Sequence, residues 1–393
     1  MSEWKASILD DVALINPTES LAKGQHAKKI SMESLLPFTK KVKNYTVEPY
    51  NGGMKFRNGD TIVARITPCL ENGKTAYIDI LNDNEIGFGS TEYIVLRERK
   101  GISDTQFLYY LSISDDFRDA AILAMTGSSG RQRVETAVIR NYQLLLPPLP
   151  EQRAIAAVLS SLDDKIDLLH RQNKTLESMA EALFRQWFVE PCKDGLPEGW
   201  REGSLLELIE LVGGGTPKTV NAEYWNGDIP WLAGGDIASS HKSFVLKSEK
   251  QITELGLNNS SAKLLPKYST VISARGTVGK YCILSKPMAF SQSNYGILPK
   301  FENCFFFSYL LINHIVEELQ SSAYGSVFDT ITTSTFKENK VFIPTEMKIR
   351  DFEYSVSSYF YKILHNANQI RTLETLRDTL LPKLMRGDVR MIV

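Results

Sequence analysis

The second half of the chain repeats the first, and this repeat restricts the possible folds more than any other feature. An offset of 197 residues places LLLPPLPEQ over VFIPTEMKI, so that Pro147 lies over Pro344. Near the start of each copy, EWKASIL resembles GWREGSL, with Trp4 over Trp200. In a chain of 393 residues, a repeat of this length predicts two copies of one structural unit rather than a single continuous core.

A long helix is predicted at the end of each copy. After Pro150 the chain has no proline or glycine until Pro191, and seam residues recur at alternating spacings of four and three. This heptad pattern favours helices wound around each other, over roughly 55 Å, whereas a core helix rarely keeps such a pattern for so long. The seam residues are Ile155, Leu159, Leu162, Ile166, Leu169, Asn173, Leu176, Ala180, Leu183 and Trp187 in the first helix, and Phe352, Val356, Tyr359, Ile363, Asn366, Ile370, Leu373, Arg377, Leu380 and Leu384 in the second. Apart from one asparagine in each seam, only Arg377 spoils the apolar pattern.

Each seam contains one asparagine, Asn173 in the first helix and Asn366 in the second. An antiparallel pairing in which opposed residue numbers sum to 539 would bring the two amides together and place Trp187 near Phe352. An amide both donates and accepts, so such a pair can satisfy itself, whereas a parallel pairing would leave both amides unmatched. We therefore predict an antiparallel coiled coil whose register is set by Asn173 and Asn366.

The segment before each helix is predicted to be an α/β (α+β) globule, because short β-branched stretches alternate with Gly, Asn and Pro. Matching GDTIVARITPCLENGKTAYI to YSTVISARGTVGKYCIL places Arg65 over Arg275 and Lys74 over Lys280, with a loop four residues longer in the first copy. Matching GFGSTEYIVL to AFSQSNYGIL places Phe88 over Phe290 and Tyr93 over Tyr295. The predicted segments are a globule at 1–147, a long helix at 148–190, a linker and second globule at 191–345, and a second long helix at 346–393.

Composition and motifs indicate a chain that performs no chemistry of its own. No apolar run reaches the length of a membrane span, and MSEWKASILDD lacks the regions of a signal peptide, so we expect a cytoplasmic protein that makes no membrane contact. The four cysteines and five histidines have no metal-site spacing. The glycine-rich Gly213–Thr219 lacks the spacing of a phosphate-binding loop, and neither Gly-x-Ser-x-Gly nor His-Glu-x-x-His occurs. We expect no catalytic residue and no bound metal.

Two diverged globules, each followed by a heptad helix, resemble the specificity subunit of a type I restriction–modification enzyme. The resemblance covers the whole chain, and its most specific parts are LPPLPEQRAIAAVLSSLDDKID and GGGTPKTVNAEYWNGDIPWLAGGDI. It implies that each globule is a target recognition domain that reads half of a bipartite, asymmetric site in double-stranded DNA. It implies that the antiparallel helices hold the globules apart and dock two methyltransferase subunits, and that motor–nuclease subunits join the complex. The resemblance also implies that this subunit binds no cofactor, S-adenosylmethionine being bound by the methyltransferase subunits.

The candidate DNA contacts are polar loop residues that match between the copies or share a flexible loop. They are Arg65, Thr67, Lys74, Arg131, Gln132, Arg133, Arg275, Thr277, Lys280, Gln292 and Asn294. The strongest candidate is GRQR at 130–133, which places two arginines and a glutamine beside a glycine, although GSVF, its counterpart in the second copy, is not basic. The candidate contacts with partner subunits are apolar residues of the first helix outside the seam, namely Val158, Leu168, Phe184 and Phe188.

Two other functions remain compatible with parts of the pattern. One is a non-catalytic scaffold with two globular, protein-binding heads on a coiled coil, which the net charge of −1 favours because no overall basic charge indicates nucleic-acid binding. The other is a nuclease or methylase fused within one chain, which the missing motifs argue against.

Overall fold

The computed structural model describes residues 3–128, 130–324 and 330–392, so that Ser129 and the predicted GSVF loop lie outside the described residues. Contacts divide the chain into two units. Unit 1 comprises Met1–Asp167 and Arg371–Val393, and unit 2 comprises Leu168–Ile370. Each unit contains one globule and parts of both long helices, so the division differs from the four segments predicted from the sequence. The two units therefore divide each long helix, so that residues 149–167 are grouped with 371–386 and residues 168–184 with 346–370.

The described residues of unit 1 form ten strands, four short helices, the first part of one long helix and the last part of the other. The strands are β1 (Lys5–Ile8), β2 (Ala13–Ile15), β3 (His26–Ile30), β4 (Thr46–Pro49), β5 (Lys55–Phe56), β6 (Thr61–Ala64), β7 (Thr75–Tyr77), β8 (Gly87–Gly89), β9 (Tyr93–Glu98) and β10 (Gln143–Leu146) among the described residues. The helices are α1 (Leu9–Val12), α2 (Thr105–Ile113), α3 (Asp115–Leu123), α4 (Thr136–Arg140) and the long α5 (Leu149–Phe184), which ends in unit 2 and continues as a π-helical turn at Arg185–Val189.

Unit 2 repeats this content in the chain that follows, and it also holds the first part of the second long helix. Its described strands are β11 (Arg201–Ser204), β12 (Ile209–Gly213), β13 (Trp225–Leu232), β14 (Phe244–Val245), β15 (Lys250–Ile252), β16 (Leu264–Leu265), β17 (Thr270–Ser273), β18 (Tyr281–Leu284), β19 (Met288–Phe290), β20 (Asn294–Pro299) and β21 (Lys340–Ile343). The helices are α6 (Gly234–Ser239), α7 (Glu254–Asn258), α8 (Phe305–Tyr324), α9 (Thr333–Glu338) and α10 (Glu346–Arg386). Both predicted long helices are confirmed.

The two units share one sheet topology, except that unit 2 adds β14 at one edge, and this confirms the internal repeat. One sheet has the order β2-β9-β6-β7 in unit 1 and β12-β20-β17-β18-β14 in unit 2. The other has the order β4-β3-β8-β5 in unit 1 and β15-β13-β19-β16 in unit 2, with the inner pair parallel in both. The first strand of each unit pairs antiparallel with the strand before the long helix, β1 with β10 and β11 with β21. Within the described residues, no helix is long and apolar enough to cross a membrane.

Strand registers correct the predicted alignment of the two copies by one residue. Arg65 N donates to Glu92 O at 3.0 Å, and the equivalent bond in unit 2 joins Ala274 N to Ser293 O at 3.0 Å. Arg65 is therefore equivalent to Ala274, and the predicted match with Arg275 is wrong. Short strands of similar β-branched residues fit each other almost equally well after a one-residue slip, although that slip reverses the face on which every side chain lies.

The same slip affects the other matches that were made by residue type. Ala64 pairs with Tyr93 as Ser273 pairs with Asn294, so Tyr93 is equivalent to Asn294 and not to Tyr295. Phe88 is likewise equivalent to Ala289 and not to Phe290, because each occupies the same place in its parallel ladder. The match of Lys74 with Lys280 is confirmed, since their carbonyls accept from Ala64 N and Ser273 N. The intervening loop is three residues longer in unit 1, not four.

Within each unit the long helices pack antiparallel, with the residue pairing that the sequence predicts. In unit 2, Asn366 Nδ2 donates to Asn173 Oδ1 at 2.9 Å, and the rings of Trp187 and Phe352 lie 5.6 Å apart. The expectation that the amides satisfy each other is only half right, because Asn366 Oδ1 is buried without a hydrogen-bond partner in the described chain. In unit 1, Arg377 replaces a seam apolar residue and donates to Asp163 Oδ1 at 2.8 Å.

Candidate nucleic-acid interface

In unit 1 the GRQR segment lies on one arm of a closed loop. Thr126 N donates to Arg133 O at 3.0 Å, and Arg133 N donates to Thr126 O at 2.9 Å, so the chain reverses between these residues. Gly127 and Gly130 have φ angles of +126° and +78°, a left-handed region that favours glycine. The glycines in TGSSGRQR thus explain locally why the chain turns here and brings Arg131 to the surface.

This loop is joined to a second segment that is distant in sequence. Thr67 N donates to Gln132 O at 3.0 Å, and Val134 N donates to Arg65 O at 3.0 Å, so the two segments run antiparallel. The structure therefore brings together Arg65, Thr67 and the GRQR segment, which were selected separately from the sequence. Arg65 Nε and Thr67 Oγ1 are buried without hydrogen-bond partners in the described chain, so these two atoms face away from solvent.

Glu92, which sequence reasoning missed, supplies the negative charge of this cluster. Its carboxylate accepts from Arg133 Nε at 2.9 Å and from Arg133 Nη2 at 2.7 Å, and Arg65 Nε lies 3.8 Å from Glu92 Oε2. The hydrogen bond from Arg133 to Glu92 raises the pKa of the Arg133 guanidinium above its ordinary value. Arg133 Nη1 donates to Arg131 O at 3.2 Å. An acidic residue directly before β9 was the only available sequence signal, and nothing in its spacing pointed to an arginine 41 residues away.

Lys74 is placed differently from the other candidates of unit 1. Its Nζ donates to Met32 O at 2.9 Å, and the side chain is partly buried. This hydrogen bond holds the ammonium group against the globule. A contact between Lys74 and DNA would require the bond to break. Arg131, by contrast, is exposed, and a guanidinium at the end of a loop can contact either a phosphate or the edge of a guanine.

The corresponding turn of unit 2 presents a smaller polar group. Arg275 and Thr277 are exposed in the turn between β17 and β18, where Thr277 N donates to Arg275 O at 3.0 Å. Lys280, at the end of this turn, is partly buried. The pKa of His241 is lowered mainly by burial of its imidazole and secondly by the positive charge of Lys280. Gln292 is also exposed. Unit 2 thus offers an arginine, a hydroxyl and an amide near the equivalent end of its sheet.

Asn294 does not lie at the surface of unit 2. It is 1% exposed within β20, and its Nδ2 donates to Ser291 Oγ at 2.7 Å. This burial contradicts its selection as a DNA contact. The one-residue slip accounts for the error, because Asn294 takes the ladder position of Tyr93, which is also buried, and not that of an exposed loop residue.

Two of the four residues selected for partner binding belong to the core of unit 2. Phe184 is 3% exposed, and the ring of Phe188 lies 4.9 Å from Phe352 and 5.1 Å from Phe307. The prediction that these two rings are available to a partner is wrong, because α8 covers the face that a pair of helices alone would leave open. Val158 packs partly buried in unit 1, and only Leu168, 38% exposed, remains at the surface.

Comparisons with known proteins cover both copies of the repeat. A family model described as the type I restriction modification DNA specificity domain matches residues 1–178 and 197–374. The chain is 25% identical to the type I restriction enzyme HindI specificity subunit of Haemophilus influenzae, over 85% of this chain and 87% of that protein. It is 26% identical to the type I restriction enzyme MjaIX specificity subunit of Methanocaldococcus jannaschii, over 73% of this chain and 69% of that protein.

A solved structure has the same fold. The S subunit of a type I restriction–modification system from M. genitalium is similar with a TM-score of 0.62, at 16% identity, over 97% of this chain and 96% of that chain. At this identity the likeness supports the fold, and it agrees with the repeated topology described above. Within the described residues, no group of three or more His, Cys, Asp or Glu is placed to hold a metal ion.

Proposed function

The chain belongs to the family of type I restriction–modification DNA specificity proteins, and on that premise we propose that it gives such an enzyme its DNA sequence specificity. In this proposal each unit reads one half of a bipartite site in double-stranded DNA. The observation that carries the proposal is the repeated sheet topology with different side chains at the equivalent loops. One scaffold occurring twice provides two reading sites, and their different side chains make the two half-sites different.

The loop chemistry supports direct reading of DNA. Unit 1 presents Arg131 and Gln132 at one end of the sheet β2-β9-β6-β7. Unit 2 presents Arg275, Thr277 and Gln292 near the equivalent end of its sheet. Arginine, glutamine and threonine form hydrogen bonds to base edges in the major groove, and arginine also contacts phosphates. These are local groups, so they are compatible with the net charge of −1. That the long helices set the spacing of the half-sites stays a prediction.

We further propose that the chain is non-catalytic and docks two methyltransferase subunits, which bind S-adenosylmethionine, and through them the motor–nuclease subunits. The outer face of α10 supports docking, since Met347, Tyr354 and Tyr361 follow one another at seven-residue intervals and are all exposed, Tyr354 by 88%. One edge of the Tyr361 ring also packs against Tyr268 and Phe306 of the same unit. A row of large apolar side chains on the face opposite a coiled-coil seam suits contact with another helix. This row replaces Phe184 and Phe188 as the proposed docking surface.

The test is methylation of a pool of random DNA duplexes. The chain is combined with the methyltransferase subunit of its own system and S-adenosylmethionine, and methylated adenines are mapped by sequencing. We expect a single asymmetric, two-part motif with the complex, and no methylation with the chain alone. Tyr354→Asp should reduce co-purification of the methyltransferase subunit, whereas Thr379→Asp on the same helix serves as an exposed control. Methylation without any motif would instead favour the protein-binding scaffold.

A further inference from the structure

We propose that Arg131 is the arginine of the GRQR loop that contacts DNA, and that Arg133 and Glu92 are positioning residues for it. The inference rests on the proposed function, because it concerns how the loop of unit 1 meets DNA. The two arginines look equivalent in the sequence, and the inference gives them different roles. We refer to Glu92 and Arg133 together as the brace.

Each nitrogen of the Arg133 guanidinium already has a partner, although the side chain is 41% exposed. Its Nε lies 2.9 Å from both oxygens of Glu92, its Nη2 lies 2.7 Å from Glu92 Oε1, and its Nη1 donates to Arg131 O at 3.2 Å. The edge formed by Nε and Nη2 is an edge with which a guanidinium can make a bidentate contact to a phosphate or a carboxylate. In this loop that edge faces Glu92. For this edge of Arg133 to contact DNA, it would have to leave a carboxylate that neutralises its charge.

Arg131 has the opposite environment. Its side chain is exposed, and in the described part of the chain its guanidinium has no ion-pair partner. Its backbone, however, is held on both sides, because Arg131 N donates to Ser128 O at 3.0 Å and Arg131 O accepts from Arg133 Nη1. A free guanidinium on a fixed backbone needs less ordering when it binds, and this lowers the entropic cost of a contact.

The brace connects this loop to the sheet. Glu92 O accepts from Arg65 N at 3.0 Å, directly beyond the end of β6, and Glu92 N donates to Ser90 Oγ at 3.1 Å. Hydrogen bonds therefore lead from the sheet through Glu92 and Arg133 to the carbonyl of Arg131. Ser293 takes the place of Glu92 in unit 2. Serine carries no charge, so the brace belongs to unit 1 and should affect only the half-site that unit 1 reads.

The experiment measures binding by the full chain in complex with its methyltransferase subunit. The probe is a fluorescent duplex that carries the motif which the wild-type complex methylates in the random pool. Binding is measured over a range of salt concentrations, because each lost phosphate contact makes the slope of log K against log salt less steep by about 0.9. The variants are Arg131→Ala, Arg133→Ala, the double variant and Glu92→Gln, with Arg275→Ala in unit 2 as the matched control.

We expect Arg131→Ala to weaken binding at least about fivefold. This loss should appear either as a shallower salt slope or as relaxed discrimination in one half of the motif. Arg133→Ala and Glu92→Gln should weaken binding less. The deciding result is the double variant, which should bind as Arg131→Ala does, because a positioning residue has no effect once the residue that it positions is gone. Arg275→Ala should alter the other half of the motif.

Arg133→Lys separates charge from geometry. Lysine keeps the positive charge but lacks the planar fork, so a brace should fail as it does in Arg133→Ala, whereas a direct phosphate contact should survive. Wild-type affinity in Arg131→Ala, or further weakening in the double variant, would overturn the inference. Thermal unfolding of each variant confirms that the globule is intact. A wild-type complex that selects no motif would overturn the proposed function, and the inference with it.

Discussion

At the scale of single residues, the seam of unit 2 carries a pair of amides that is only partly satisfied. Asn366 is fully buried, and its Nδ2 donates to Asn173 while its Oδ1 has no partner in the described chain. Polar groups at such positions cost stability but select one alignment of the helices. The pair therefore gives unit 2 a single register at the expense of stability.

Substitution of these asparagines should separate the two effects. Asn366→Leu alone leaves Asn173 Oδ1 without its donor, and we expect the free energy of unfolding to fall by about 1 kcal/mol. The double variant Asn173→Leu, Asn366→Leu should be at least as stable as the wild type, since a packed apolar pair carries no desolvation cost. Urea unfolding of both variants checks this. A double variant less stable than the wild type would show that the amides contribute net stability.

Glu353 makes the stability of unit 2 dependent on pH. Burial raises the pKa of its carboxyl from 4.5 to about 7, although Phe306 N and Phe307 N donate to it at 3.1 and 2.7 Å. The folded chain therefore holds this proton to a higher pH than the unfolded chain does. Ionisation penalises the folded state, so the contribution of Glu353 to stability falls as pH rises from about 4.5 to about 7.

We predict that Glu353→Gln becomes more stable relative to the wild type as pH rises. The change in this difference between pH 5 and pH 8 should be about 1–3 kcal/mol in the free energy of unfolding. Using the change between two pH values removes the constant effect of replacing one carboxyl oxygen with an amide group. Denaturant unfolding of both proteins at each pH measures it. A difference that stays the same at both pH values would show that Glu353 does not titrate in this range.

At the scale of elements, the seam of unit 1 contains an ion pair where unit 2 has apolar contacts. Arg377 Nη1 donates to Asp163 Oδ1 at 2.8 Å, and Tyr110 OH donates to Asp163 Oδ2 at 2.6 Å, all largely buried. This explains why an arginine occupies a seam position of α10. The pair also links both helices to α2, since Tyr110 lies on that helix.

Arg377→Leu should destabilise unit 1 strongly. It leaves the Asp163 carboxylate buried without its cation, and breaking a buried pair in this way costs about 3–5 kcal/mol. Adding Asp163→Asn should recover part of the loss, because a neutral amide still accepts from Tyr110. Double-mutant analysis of the unfolding free energy gives the coupling between the two positions. Additive losses would show that the two side chains act independently.

The long helices and the repeat could be predicted from the sequence because heptads and repeated motifs are periodic, and periodicity survives local error. The elements that pack around the helices could not be predicted from the sequence. Phe184 and Phe188 look like spare apolar residues on a pair of helices, and only the tertiary packing of α8 shows that they are core. Strand registers could not be predicted from the sequence either. Residue type matches Arg65 with Arg275, whereas the hydrogen bonds of the sheets match Arg65 with Ala274.

The sequence predicted which residues lie in the candidate site of unit 1, but not how they are arranged. Arg65, Thr67 and the GRQR segment were all identified from the sequence, yet their meeting depends on backbone bonds between distant segments. Glu92 could not be selected because its role arises from the side chain of Arg133, which comes near it only after the loop has folded back. Interactions between charged side chains depend on this final geometry.

At the scale of the whole molecule, unit 1 is built from two separate stretches of chain. Arg386 pairs with Asp116 at 2.7 Å, and Arg390 pairs with Glu151 at 2.7 Å, so Arg371–Val393 contributes to the packing of the first globule. Trp4 Nε1 donates to the same Glu151 at 3.1 Å. The globule at the start of the chain is therefore completed by residues from its far end.

Exchange of the first globule should show this dependence. Replacing residues 1–146 with the matching globule of a relative should change only one half of the methylated motif, if each unit reads DNA independently. Such a chimera should have a lower Tm than one that also takes residues 371–393 from the same relative, because the residue at position 386 then meets the residue at position 116 with which it occurs in that relative, as Arg386 meets Asp116 here. Methylation mapping and thermal unfolding provide the two readouts. Changes in both halves would contradict independent reading.

The split composition of unit 1 has a consequence for the order of folding on the ribosome. Unit 2 is one continuous stretch and can fold once Ile370 has emerged, whereas unit 1 must wait for Arg371–Val393. Roughly 200 residues separate its two parts, which at about 5–20 residues per second is a delay of about 10–40 s. During that time the apolar side chains of Ile155 and Leu159 lack the opposing helix. The first globule must therefore spend this interval without the apolar contacts that Leu381 and Leu384 later supply.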